Sequence, residues 1–216
     1  MNILKEPVNA ISHMLGMLAS IFGLILLIAM SSGKTAAWHL VSFSIFGLTL
    51  ILMYGSSSLY HALRLSDRAT IILRKIDHIF IFLLIAGTYT PFCLIPLRGP
   101  WGWSLFGVVW GIAFLGIMLK ISGYPVHRWV STGIYLTMGW ICLIAIYPLL
   151  NPLPSGCFFW MAMGGLSYSV GAIIYGIRKP DPWPGVFGFH EIWHLHVMLG
   201  SFCHFWAIYR YLMVFE

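Results

Sequence analysis

Charge is scarce in this sequence. Only 8% of its 216 residues are Asp, Glu, Lys or Arg, and just 6 are acidic, against roughly a quarter charged in an ordinary soluble domain. A chain so poor in charge and 60% hydrophobic has too little polar surface to use water as its main solvent. A disulfide framework is lacking as well. Cys93, Cys142, Cys157 and Cys203 lie within or beside apolar stretches with no C-x-x-C pair among them, so they speak neither for redox chemistry nor for a compartment. There is no internal repeat, low-complexity tract or domain linker. Nor is there a recognisable secretory signal, because the first apolar stretch, Ile11 to Met30, is too long for an h-region and has no A-x-A-like site.

What the sequence does have is long apolar runs. A membrane-crossing helix needs about 20 mostly apolar residues, and windows at 11–31, 38–60, 76–96, 102–120, 128–148, 157–177 and 190–212 meet that need. The expectation is an all-α membrane protein, a seven-transmembrane-helix bundle forming one domain over 1–216. The stretch Ile121-Ser122-Gly123-Tyr124-Pro125 can extend either the fourth or the fifth span. Gly164, Gly165, Ser167, Ser169 and Gly171 give the sixth span a small-residue face against which a neighbour can pack closely. Pro91 predicts a kink in the third.

The formal net charge of +6 raises the question of a nucleic-acid partner. The basic residues stand singly or in small groups between apolar runs, as juxtamembrane residues do, so the charge reads as topology and no nucleic acid is expected. Nine of them fall on the N-terminal side of the alternating spans: Lys5, Arg64, Arg68, Arg74, Lys75, Lys120, Arg128, Arg178 and Lys179. The other side has three, Lys34, Arg98 and Arg210. Retention of positive charge in the cytoplasm then puts the N-terminus inside and the C-terminus outside.

Ionisable residues within spans are costly and mark function or a specific polar contact. Here they gather at one depth. Glu6, Asn9 and His13 open the first span, Ser57 and His61 close the second, Asp77 and His78 open the third, and His190 and His194 open the seventh. Helical residues four apart share a face, so His190 and His194 point together, as do Ser57 and His61. His61, His190 and His194 offer three neutral nitrogens, the protein share of a catalytic zinc site, with Asp77 and Ser57 suited to hold a water beside it. The plainer reading is that these histidines bond one helix to the next, and spacing leaves both open.

The segment His190-Glu191-Ile192-Trp193-His194 also reads H-E-x-x-H, but Glu191 is turned about 100° from His190 and reads as an exposed acid at a helix start, favoured by the dipole. His39 and His127 fall at span ends and read as solvated. His196 faces nearly away from His194 and reads as a packing residue. His204 is fourteen residues past His190, about 21 Å along the axis, too far to share an ion, and reads as a bond to a neighbouring helix.

Three segments resemble the haemolysin III branch of the progestin and adiponectin receptor family: Glu6-Pro7-Val8-Asn9-Ala10-Ile11-Ser12-His13; Ser57-Ser58-Leu59-Tyr60-His61 with Lys75-Ile76-Asp77-His78 and Ala86-Gly87-Thr88-Tyr89-Thr90-Pro91; and His190-Glu191-Ile192-Trp193-His194 with His204-Phe205. The resemblance covers nearly the whole chain in the same order. It implies zinc held by His61, His190 and His194, with Asp77 on the water side and Ser57 as an auxiliary polar group. It also implies kinship with intramembrane metal-dependent hydrolases of lipid amides and a bacterial inner (plasma) membrane location, with membrane lipids as partners. The long N-terminal cytoplasmic segment of the animal receptors has no counterpart here.

Two functions compete on this reading. One is a zinc-dependent hydrolase acting on a lipid amide or ester. The other is a non-enzymatic sensor or pore-forming cytolysin in which zinc is structural. Ion or proton conduction ranks below both, since only His204 hints at polar residues continuing across the bundle.

Overall fold

The computed structural model of the protein describes residues 4–31 and 37–215. Lys34, counted above on the sparsely charged side, lies outside them. Among the described residues the chain is helical throughout, apart from turns and an isolated bridge between Trp183 and Phe187. The helices are α1 (Pro7–Ser31), α2 (Ala37–Ala62), α3 (Asp67–Leu94), α4 (Pro100–Ile121), α5 (Arg128–Leu150), α6 (Ser155–Ile177) and α7 (Phe189–Ala207, continued by a π-helical turn, Ile208–Leu212). Five of them, α1, α2, α4, α5 and α6, are long and apolar enough to cross a membrane.

The solvent can be read from α1. Its buried stripe is Asn9, Ala10, His13, Gly16, Ser20, Gly23, Leu27 and Ser31, while Ile11, Leu15, Leu18, Phe22 and Ile25 face outward. Small and polar residues inside with large apolar ones outside invert the pattern of a water-soluble helix and match a helix whose outer face meets lipid. The helices α1 to α4 pack in sequence as neighbours, α6 packs on α7, and α7 returns against α1. That return sets the first and last helices side by side, with Asn9 beside Glu191 at one end and Ser31 beside Met213 at the other.

Two helices depart from the expected windows. Helix α3 begins at Asp67, nine residues before the apolar window that opens at 76, because the Ser66 hydroxyl accepts from the Ala69 amide and Asp67 stands in the first turn. Charged residues such as Arg74 and Lys75 end an apolar run without ending a helix. Helix α5 loosens to 3-10 geometry over Ile141–Ala145. The Tyr89 hydroxyl reaches in from α3, lies 2.8 Å from both the Met138 and Gly139 carbonyls, and accepts from the Cys142 amide at 3.0 Å. A side chain inserted into the helical ladder interrupts it, and Pro148, which lacks an amide hydrogen, weakens the next turn.

The small-residue face of α6 receives α7. The Ser167 hydroxyl donates to the His196 carbonyl at 2.9 Å, and a Cβ added at Gly171 would lie 2.6 Å from that of His196 and 2.9 Å from Trp193. His196 is thus a packing residue, as expected. His39 is buried, not solvated: its Nε2 donates to the Leu212 carbonyl at 3.1 Å. The π turn at the end of α7 leaves carbonyls outside the regular ladder, and His39 supplies a donor there. His127 is exposed and caps α5, accepting at Nδ1 from the Trp129 amide.

Gly171→Leu should force α6 and α7 apart and cost about 1–3 kcal/mol, read as a lower thermal midpoint in detergent. A midpoint equal to that of the unaltered protein would show that this contact does not set the spacing of the two helices.

Candidate metal centre

The last turn of α2, the first turns of α1 and α7 and the third turn of α3 meet at one end of the bundle. His61 leaves α2 there, and His190 and His194 sit one turn apart on α7. Their ligand nitrogens all lie within 4.8 Å of one another. The three rings meet edge to face, with centroids 4.9 to 5.0 Å apart and interplanar angles of 74° to 88°. His61 and His194 are almost wholly buried. Three imidazoles converging on one point could hold a metal ion, and their chemistry suits one that prefers nitrogen ligands in an open tetrahedral site.

The hydrogen bonds around the triad fit that use. Glu6 Oε2 lies 2.6 Å from His61 Nδ1, so this nitrogen donates to the carboxylate and Nε2 carries the free lone pair. A carboxylate behind a histidine fixes its tautomer and aims its other nitrogen. Glu6 is itself held in place: its amide donates to the His61 carbonyl at 2.9 Å, and Lys5 Nζ lies 3.3 Å from Oε1. The hydrogen bond to His61 draws the Glu6 carboxyl down to about 2, against the opposing cost of its partial burial, so it is ionised at neutral pH. His13 lies flat against His194, with centroids 3.6 Å apart at 13°. It braces the ring without joining the three nitrogens.

Glu191 differs from its expected role. It is half-buried, and its two oxygens do different work: Oε2 accepts from the Gly188 amide at 2.7 Å, capping α7, and Oε1 accepts from Asn9 Nδ2 at 2.7 Å. The same Asn9 amide group lies 3.3 Å from Glu6 Oε2. Asn9 therefore ties the start of α7 to the carboxylate behind His61. The signal for this was present in the sequence, because Glu6, Asn9 and His13 fall at i, i+3 and i+7 and share one face of a helix.

Asp77 and Ser57 face the triad from α3 and α2, and Asp77 lies close enough to interact with both His61 and the Ser57 hydroxyl. All five expected site residues, His61, His190, His194, Asp77 and Ser57, line one cavity of about 830 Å³. His78 lines the same cavity but donates from Nδ1 to the Arg74 carbonyl at 2.6 Å. His204 does not bond a neighbouring helix as expected. It stacks on Tyr168 at 5.7 Å and packs over Gly164, and its Nδ1 has no hydrogen-bond partner among the described residues.

The family profile described as Haemolysin-III related matches residues 1–205. The chain belongs to this family. It is 42% identical to the Bacillus subtilis (strain 168) hemolysin-3 homolog over 209 residues, covering 97% of this chain and 95% of that one. Bacillus cereus hemolysin-3 is 39% identical over 211 residues, with 97% and 92% covered. Human monocyte to macrophage differentiation factor is 26% identical over 216 residues, with 96% and 84% covered. Adiponectin receptor-like proteins are similar at greater distance. The resemblance drawn from three short motifs thus extends along the chain, and this haemolysin III family protein is a membrane protein.

If Glu6 aims His61, Glu6→Gln should weaken divalent-metal binding roughly 10- to 100-fold while the protein stays monodisperse, as measured by chelator competition. Equal affinity in the two proteins would mean that the ring is oriented without the carboxylate.

Proposed function

We propose that this haemolysin III family protein is a zinc-dependent hydrolase of lipid amides or esters, a seven-span protein of the bacterial inner membrane with its N-terminus in the cytoplasm. The observation that carries the reading is the meeting of the three-histidine cluster, Asp77 and Ser57 on the wall of one largely apolar cavity of about 830 Å³, a size typical of small-molecule sites. Seven helices of spanning length among the described residues, and the nine-to-three division of basic residues, support the topology.

His61, His190 and His194 would hold the zinc. When bound, zinc supplies a Lewis acid for the substrate carbonyl and acidifies its water. Asp77 accepts the proton as the water oxygen adds to the carbonyl carbon, then delivers it to the departing nitrogen or oxygen as the amide or ester bond breaks. Ser57 donates a hydrogen bond to the oxygen on which negative charge develops. The products are a carboxylic acid and an amine or alcohol, and no redox partner is required.

A second reading, a non-enzymatic sensor or cytolysin with structural zinc, draws on the name of the Bacillus cereus relative and on the way the cluster joins α2 to α7. The two differ at Asp77. Metal content by mass spectrometry of detergent-purified protein should be near one zinc per chain, lost in His61→Ala and His190→Ala and retained in Asp77→Asn. Hydrolysis of lipid amides should fall at least about 100-fold in Asp77→Asn, the scale of a lost general base. Zinc without turnover, and an Asp77→Asn protein indistinguishable from wild type, would favour the structural reading. A folded protein that takes up no zinc would sink both.

A further inference from the structure

The cavity has a second chemical character, carried by residues that are exposed or partly exposed. Arg74 and Lys75 from α3, Lys120 from α4, Arg128 from α5 and Arg178 after α6 all line it. No carboxylate lies within ion-pair distance of any of the five among the described residues. They are gathered, not dispersed. Arg74 and Lys120 lie close enough to repel one another, and Arg74 and Arg128 both bear on Tyr175, over whose ring the Arg128 guanidinium stands at 5.5 Å. Neutral acceptors engage two of them in part: Lys120 Nζ donates to Ser131 Oγ at 2.7 Å, and Arg128 donates to the Gly176 carbonyl at 2.8 Å. Neither contact balances charge.

Retention of positive residues on one side of a membrane asks only that they lie on that side. Arg64, Arg68 and Lys179 meet that requirement without lining the cavity, whereas these five line it from α3, α4, α5 and the residue after α6. Like charges brought together around an opening are a standing cost that an anion would relieve. The rest of the lining is largely apolar and includes Ile85, Leu136, Leu143 and Phe158.

We infer that the cavity takes an anionic amphiphile, its phosphate-type head group held by Arg74, Lys75, Lys120, Arg128 and Arg178 and its hydrocarbon chain lying along the apolar wall. This rests on the reading of the cavity as a lipid site and needs no turnover. Arginine supplies paired donors to phosphate oxygens and lysine a point charge, so the head group selects the ligand while the chain supplies most of the contact area. Within the proposed hydrolase, the substrate is then an amide or ester that also carries a negative head group.

The test is a binding titration of the whole protein in neutral detergent, by native mass spectrometry, with dodecyl phosphate, dodecyl phosphocholine, dodecanol and inorganic phosphate as probes. Dodecyl phosphate should bind roughly tenfold or more tightly than the zwitterionic or neutral probe of equal chain length, the scale of one charge-assisted hydrogen bond. The preference should vanish in Arg74→Gln/Lys120→Gln and survive in Arg68→Gln/Lys179→Gln, which removes as much charge from the same side. In the unaltered protein it should fade as salt approaches about 1 M, where the screening length is about 3 Å. Three results would overturn the inference: equal affinity for all three dodecyl probes, which leaves the lipid reading standing; inorganic phosphate binding as tightly as dodecyl phosphate, which makes the site one for a free anion; and no binding of any amphiphile, which removes the lipid reading as well.

Discussion

A polar side chain on a helix in lipid has no solvent on its outer face, and the whole arrangement follows from that constraint. An ionisable group at mid-bilayer costs several kcal/mol even on lenient scales, about 2.5–3.5 for Asp, Lys or Arg. The cost falls when such groups face the bundle interior and satisfy one another. In α1 this sorts the residues directly: Asn9, His13, Ser20 and Ser31 turn inward and Leu18, Phe22 and Ile25 outward. In α7 the buried positions include His194 and Ser201. Once these helices are rotated to hide their polar residues, the residues meet, and the metal centre occupies the place where they do.

Meeting alone would leave a loose cluster of histidines. The Glu6, Asn9 and Glu191 contacts make it a defined one by joining three helices. Glu6 reaches His61 on α2, Asn9 bridges Glu6 and Glu191, and Glu191 closes the first turn of α7. Hydrogen bonds to charged groups contribute about 1.5–3 kcal/mol each, more than packing between lipid-facing helices supplies at a single contact. Deeper in the bundle, Tyr54 on α2 donates to Ser201 on α7, and Tyr168 on α6 shares the same hydroxyl, both at 2.8 Å. These bonds hold α7, and with it two of the three candidate ligands, in register with α2.

The cavity draws its character from three kinds of residue. Imidazoles and Asp77, a group of cations, and hydrocarbon side chains all line it. Helix α3 contributes to each, with Arg74 and Lys75 one turn before Asp77 and Ile85 two turns beyond. Its early start at Ser66 therefore matters to the site. A helix beginning at the apolar boundary would leave Arg74 and Lys75 in a loop, free to turn away from the opening that they line.

By itself, the sequence determined the solvent, the helices to within a few residues except for the start of α3, and the candidate ligands, because these depend on short-range properties: apolarity over some twenty residues and a repeat of 3.6. His190 and His194 point together for that reason alone. Only the tertiary structure decided which nitrogen of His61 is free, that Glu191 is tied down by Asn9, that Tyr89 opens the ladder of α5, and that five scattered cations face one cavity. Those contacts join residues as far apart as 55 positions for Glu6 and His61 and 182 for Asn9 and Glu191. They depend on how far each helix is rotated about its own axis, which the burial of all its neighbours fixes together and no single window of sequence records.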